Sequence, residues 1–300
     1  MAKKILIITG LTCSGKSNLA MEIAKEYNGE IISADSVQVY KGLDIGSAKE
    51  SLENRSKIKH HLIDIKHFYE NYNVGEFLFD CKTALDNILS KNKLPIIVGG
   101  TGLYIKALMQ GYSLGGTSQD AEFRKKYVQL AKEKGNQYVW QHLYDINPEK
   151  AEAVHYNNLK RIIRYLEIEE HGCSANKFNI LEDYEVFAVG IVADREEIYN
   201  KINSRVDKMI DAGLEQEVRH LVEQGATRDM QAFNSIGYKE WFDYFDGVQD
   251  KSTTIDLIKQ HSRNYCKRQL TFLKTIPDLI LCDIETAKNK IKEYLNDRNR

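Results

Sequence analysis

Apolar positions in this chain fall into short dense runs separated by longer amphipathic stretches. Residues 4–9 (Lys-Ile-Leu-Ile-Ile-Thr) are rich in β-branched side chains and end at Gly10, which predicts a buried parallel strand. A helix is predicted from about Ser17, with Leu19, Ala20, Ile23, Ala24 and Tyr27 on one stripe and Gly29 beyond its end. Residues 30–34 read as a second strand and residues 61–65 as a third. Residues 74–89 repeat Phe77, Leu78, Cys81, Leu85, Ile88 and Leu89 at helical spacing. A fourth strand, 95–98, runs into Gly99-Gly100-Thr101-Gly102, and residues 186–193 and 279–282 are later strands. Strands alternating with helices predict an α/β fold with a parallel, doubly wound sheet.

Between residues 113 and 183 the pattern changes to helical segments with no convincing strand, and Leu159, Ile162, Ile163 and Leu166 lie at i, i+3, i+4 and i+7. This stretch reads as a helical insertion, and helices at 198–210, 215–223 and 255–274 return to the sheet domain. The expected organisation is a core from 1–112 and 184–300 with an insertion domain at 113–183.

Composition alters this picture little. Of the 300 residues, 42% are hydrophobic and 28% charged, an ordinary balance for a chain with a sizeable core. Cys13, Cys81, Cys173, Cys266 and Cys282 are odd in number, widely spaced and without a C-x-x-C pair, so reduced thiols are expected rather than a disulfide or zinc framework. No apolar stretch approaches the ~20 residues of a membrane span. The short apolar run near the start leads into a glycine-rich loop, not a cleavage site. A cytoplasmic monomer is the expectation. The net charge of −1 sits awkwardly with nucleic-acid binding unless basic residues gather on one face.

The sharpest chemical signal is Gly10-Leu11-Thr12-Cys13-Ser14-Gly15-Lys16-Ser17, which fits G-x-x-x-x-G-K-[ST] between a strand and a helix. Glycines let backbone amides approach an anion, and the helix N-terminus adds its dipole. Lys16 supplies a point charge, and the Ser17 hydroxyl can hold Mg2+. The motif specifies a polyphosphate and leaves the reaction open. A kinase would place a carboxylate at the end of a second apolar strand. Residues 95–98 end instead in glycines, whereas Asp35 and Asp283 end other strands.

Further blocks follow in order. They are Ser33-Ala34-Asp35-Ser36-Val37-Gln38-Val39-Tyr40, Asp44-Ile45-Gly46-Ser47-Ala48-Lys49, Val98-Gly99-Gly100-Thr101-Gly102-Leu103-Tyr104, Lys160-Arg161-Ile162-Ile163-Arg164-Tyr165-Leu166-Glu167, Ser235-Ile236-Gly237-Tyr238-Lys239-Glu240 and Cys266-Lys267-Arg268-Gln269-Leu270-Thr271-Phe272. Taken together with the loop, they make the chain resemble the tRNA dimethylallyltransferase (tRNA isopentenyltransferase) family over nearly its full length. Leu11 and Cys13 depart from the proline and alanine usual in that family's loop. Cys266 and Phe272 replace a usual alanine and tryptophan.

The resemblance implies a P-loop NTPase-like parallel sheet flanked by helices, with the loop holding dimethylallyl diphosphate and Mg2+. It implies transfer of the dimethylallyl group to the exocyclic N6 amine of the adenosine 3′ of the anticodon in tRNA, so the tRNA anticodon loop is the expected partner. Asp35, at a strand end where parallel sheets build their sites, matches the family's general base. A cap or a metal ligand is the alternative role for it. The resemblance has Thr101 donating to the bridging oxygen of the diphosphate, and its position after two glycines at a strand end suggests a bare hydroxyl there. Arg205 matches a diphosphate contact, although its helix context alone reads as a solvated arginine. Lys16 completes the catalytic set. Expected tRNA contacts are Asp35, Ser36, Val37, Gln38, Arg124, Lys160, Arg161, Arg263, Lys267 and Arg268. Lys259, Arg263, Lys267 and Lys274 form a basic stripe on the last of these helices. An adenylate prenyltransferase and a small-molecule kinase remain alternatives.

Overall fold

The computed structural model describes residues 3–113, 120–172 and 177–297. The chain forms two compact units, Met1–Gln110 with Ile180–Arg300, and Gly111–Asn179. In chain order the first unit begins with β1 (Lys4–Gly10), α1 (Lys16–Glu26), β2 (Gly29–Ser33), α2 (Leu52–Lys57), β3 (His60–His61), α3 (Val74–Ser90), β4 (Leu94–Gly99) and α4 (Gly102–Gln110). The second contains β5 (Tyr112–Ser113), α5 (Ala121–Lys134), α6 (Asn136–Ile146), α7 (Pro148–Glu152), α8 (Leu159–His171) and β6 (Lys177–Phe178). The first then resumes with β7 (Glu185–Ile191), α9 (Arg195–Asp211), α10 (Leu214–Glu223), α11 (Trp241–Phe245), α12 (Lys251–Leu273), β8 (Ile280–Cys282) and α13 (Ile284–Asn296).

The main sheet has strand order β3-β2-β4-β1-β7-β8, and every pairing is parallel. Its central strands are covered on both faces, which is why they read as continuous apolar runs. Leu6, Ile8, Ile31, Ile96, Val98 and Val189 meet α1 and α13 on one face. Ile5, Ile7, Ile32 and Ile97 are fully buried on the opposite face. There α3 packs on β2 and β4, and α12 packs on β1 and α9.

Two sequence expectations change. The third strand, expected over residues 61–65, stops at His61 because Leu62 and Asp64 take left-handed φ angles of 61° and 58°. Beyond it the chain follows residues 38–41 instead of β2, with Ile65 and Lys66 amides both donating to the Val39 carbonyl. Lys49 and Arg55 both bind the Asp64 carboxylate in that geometry. The insertion is not free of strands, since Tyr112 and Ser113 pair antiparallel with Phe178 and Lys177. Two-residue strands are too short to show alternation in sequence.

The inserted unit has its own core of Val139, Leu143, Ala151, Val154, Ile162 and Leu166. Trp140 Nε1 donates to the carbonyls of Ala151 and Val154 at 2.9 Å each. Glu167 is fully buried among these helices and accepts two bonds from Arg124, one from Arg164 and one from the Asp120 amide. Four described cysteines, Cys13, Cys81, Cys266 and Cys282, are free thiols, and Cys173 lies outside the described residues. No helix among the described residues is long and apolar enough to cross a membrane.

Candidate active site

The loop after β1 is shaped by what it must approach. A Cβ on Gly10 would lie 2.4 Å from the Ile191 carbonyl oxygen of β7, so only glycine fits. Gly15, with φ 87°, is the N-cap of α1. The amides of Cys13, Gly15, Lys16, Ser17 and Asn18 make no hydrogen bond among the described residues, and the Leu19 amide is the first in α1 to be bonded, to the Gly15 carbonyl. Ser14 Oγ is buried without a partner. Free amides and an orphaned hydroxyl at a helix N-terminus form a cradle for an anion. Lys16 Nζ donates to the Leu11 carbonyl at 3.1 Å. Its removal from water, and then the neighbouring Arg205, lower its pKa to about 8.

Arg205 is not a solvated arginine. Its Nη1 donates to Thr12 Oγ1 at 3.3 Å and approaches Cys13 Sγ at 3.7 Å. The cause is the packing of α9, whose Ile198 and Ile202 join Leu11 and Cys266 in one apolar cluster beneath the loop. A helical stripe shows which residues are buried but not what they are buried against.

Asp35 follows β2. Its Oδ1 accepts from the amides of Val37 at 2.8 Å and Gln38 at 3.3 Å, so it does cap a turn. No hydrogen bond to its Oδ2 occurs among the described residues. β4 lies between β1 and β2, and its end passes so close to the end of β2 that a Cβ on Gly99 would be 2.1 Å from the Ala34 carbonyl oxygen. Thr101 follows, and its hydroxyl is not bare. It accepts from the Ser36 amide at 3.1 Å and lies 3.4 Å from Ser36 Oγ. The Gln38 side chain is also committed, accepting from Ser33 Oγ and donating to the carbonyls of Ser47 and Ala48.

Two cavities meet here. One, of about 280 Å³, is polar and lined by Lys16, Ser17, Ser33, Gln38, His60 and Gly100 among others. The other, of about 350 Å³, presents Ile202, Val206, Met209, Ile236 and Ile258. Thr12, Asp35, Ser47, Arg205 and Tyr265 line both.

Of the expected nucleic-acid contacts, Val37 and Ser36 line the apolar cavity with Arg268. Lys160 and Arg161 are exposed on α8, with Arg161 Nε donating to Tyr165 Oη. Arg124 is bound into the Glu167 ion pair of the inserted unit. The basic stripe of α12 is partly a helix seam. Lys259 pairs with Asp207, Arg263 donates to Asn203 Oδ1 at 2.6 Å, and Lys267 lies over the Tyr199 ring, all on α9. Lys267 and the adjacent Arg268 are exposed, and Arg268 lines the apolar cavity.

Sequence reasoning passed over Tyr265 and Gln269 of α12. Tyr265 Oη donates to the Gly100 carbonyl at 3.2 Å, and burial followed by the charge of Asp35 pushes its pKa up to about 12. Gln269 is buried and bonds both the loop and the end of β4. The available signal was its position, three residues after Cys266 and four before Leu273 on the apolar face of α12.

A strand, a glycine loop opening a helix with free amides, and a flanking parallel sheet define a P-loop protein of the α/β class. Residues 38–276 match the family model described as IPP transferase, and the chain belongs to that family. A tRNA dimethylallyltransferase of Alkaliphilus oremlandii is 42% identical over 99% of this chain and 97% of its own length. The crystal structure of the full-length tRNA isopentenylpyrophosphate transferase of Bacillus halodurans is 36% identical, with TM-score 0.72 over 98% of this chain and 96% of that one. A eukaryotic dimethylallyltransferase acting on tRNA is 25% identical, with TM-score 0.79 over 99% of this chain and 80% of that one.

Proposed function

We propose that this chain transfers a dimethylallyl group from dimethylallyl diphosphate to the exocyclic N6 amine of the adenosine 3′ of the anticodon in tRNA, releasing diphosphate. The observation that carries this reading is the junction of a polar cavity at the phosphate loop with an apolar cavity, at Asp35 and Arg205. A donor with an anionic head and a short apolar tail fits the two sides, and its allylic carbon would fall near the carboxylate.

In the reaction the amine nitrogen bonds the allylic carbon, the carbon–oxygen bond to diphosphate breaks, and a proton leaves the nitrogen. The adenine amine is a weak nucleophile, so a base within hydrogen-bond reach is needed. Asp35 is that base: two amides fix Oδ1 and leave Oδ2 to take the proton. The loop amides, Ser14, Lys16 and Arg205 neutralise the charge that develops on the leaving diphosphate. Lys16 needs only to exchange its bond to the Leu11 carbonyl for one to phosphate. Thr101 can turn its hydroxyl from Ser36 Oγ to the donor while still accepting from the Ser36 amide.

Mg2+ fits this site through Ser17, exposed at the first turn of α1 and lining the polar cavity. No cluster of three metal-ligating side chains occurs among the described residues, so the donor's oxygens would complete the shell. When bound, the ion supplies further charge neutralisation to the diphosphate.

Of the expected contacts, Lys160, Arg161, Lys267 and Arg268 are exposed and available for the RNA backbone. The target base must leave its stack, a cost of a few kcal/mol in a loop. A cytoplasmic location accords with action on tRNA. Incubation with labelled dimethylallyl diphosphate or ATP, each with tRNA or AMP as acceptor, tests the proposal. Label should pass from the prenyl donor to tRNA only. Transfer to AMP alone, or phosphoryl transfer from ATP, would overturn it.

A further inference from the structure

The side chain of Gln269 joins two parts of the site that are distant in sequence. Its Oε1 accepts the Thr12 amide of the phosphate loop at 2.9 Å, and its Nε2 donates to the Gly100 carbonyl at 3.0 Å. The contact is close: a Cβ on Gly100 would lie 2.6 Å from Nε2 and would push the amide aside. Gln269 is buried and both ends of its amide are used, so an unmade bond there is costly.

Each bond reaches further by covalent geometry. The peptide plane that carries the Gly100 carbonyl also carries the Thr101 amide, which donates to the Ala34 carbonyl just before Asp35. Fixing that plane fixes where Thr101 leaves β4. At the other end, Thr12 Oγ1 accepts from Arg205, so holding the Thr12 amide sets the perch of that guanidinium. Tyr265 shares the Gly100 carbonyl but makes no bond to the loop.

We infer that Gln269 is a positioning residue that holds the phosphate loop and the Thr101 strand end in one register, and so sets donor affinity. This rests on the reading of the loop as the diphosphate site. Gln269 lines the polar cavity, but both ends of its amide are committed to Thr12 and Gly100, so it acts through Thr12, Arg205 and Thr101.

The test measures the Kd of inorganic diphosphate with Mg2+ by calorimetry on the full chain, beside the KM values of dimethylallyl diphosphate and tRNA. Gln269→Met keeps length and loses both bonds. It should weaken diphosphate and raise the donor KM about tenfold or more, and leave the tRNA KM within about twofold. Tyr265→Phe should shift diphosphate affinity by no more than about threefold, since the Thr12 bond survives. Gly100→Ala displaces the amide without removing it and should reproduce the donor-selective loss, which covers the case of a poorly folding Gln269→Met. Equal losses for donor and tRNA, unchanged diphosphate affinity, or a Tyr265→Phe effect as large as that of Gln269→Met would overturn the inference. A wild-type chain that binds no diphosphate would instead overturn the site reading on which it rests.

Discussion

Asp35 and Glu167 are carboxylates in two regions of the molecule, and their hydrogen bonds differ in kind. Glu167, inside the inserted unit, is closed: two arginines and an amide occupy both its oxygens. Burial alone would raise its pKa, but the bonds from Arg124 and Arg164 hold it down to about 2. Asp35, just past the carboxyl end of β2, is half open, with one oxygen pinned and the other unclaimed. A buried charge whose lone pairs are all taken builds the fold, whereas a fixed carboxylate with one lone pair spare can accept a proton.

The largest expected effect separates the two. Asp35→Asn keeps the oxygen that caps the turn and loses only basicity, so single-turnover transfer should slow by ~10²–10⁴ while donor and tRNA binding persist. A wild-type chemical rate would make Asp35 a turn residue and nothing more.

Glu167→Gln should act in the opposite sense. Breaking a buried pair costs roughly 3–5 kcal/mol, so the unfolding midpoint in denaturant should fall while the donor Kd stays put. The sign with pH follows from the depressed pKa. Stabilisation by Glu167 is present above the ordinary value of 4.5 and fades as pH falls towards about 2. Thermal melts across that window should be steeper in the wild type than in Glu167→Gln; parallel curves would show that the carboxylate is not what acid attacks.

Lys16 sharpens the comparison from the donor side. Its pKa, lowered from 10.5 to about 8, means that the folded loop sheds a proton in a window where the unfolded chain keeps it. Stability should therefore rise with pH between about 8 and 10.5, but diphosphate affinity should fall there, because the neutral amine loses its attraction. Calorimetry in buffers of differing ionisation enthalpy should detect proton uptake on binding above pH 8, absent in Lys16→Gln.

The smallest effects concern the surface. Lys267→Ala and Arg268→Ala should each flatten the salt dependence of tRNA binding by about one unit of slope. Arg263→Ala should lower thermal stability more than it changes that slope, because Arg263 is tied to Asn203. Arg161→Ala should raise the tRNA KM, and unchanged activity across salt would remove α8 from the RNA surface.

The sheet was legible because strands buried on both faces leave unbroken apolar runs, as in residues 4–9 and 95–98. The phosphate loop was legible because its glycines and lysine must lie in fixed sequence order. Partnerships across the fold were not. Nothing in the helical pattern of residues 198–210 says that Arg205 reaches Thr12, and nothing in a four-residue spacing says that Lys259 and Arg263 are spent on α9. Thr101 looked bare because its partner, Ser36, is brought near only by the pairing of β2 with β4.

The closeness of those two strand ends constrains the protein's evolutionary future as well as its present chemistry. Gly99 occupies the position beside the loop where a phosphotransferase would want an acid, and any side chain there would collide with the main chain at Ala34. Mutation cannot place an acid at residue 99 without first prising the ends of β2 and β4 apart. A backbone contact thereby holds this strand end to glycine, whatever selection might favour at the loop itself.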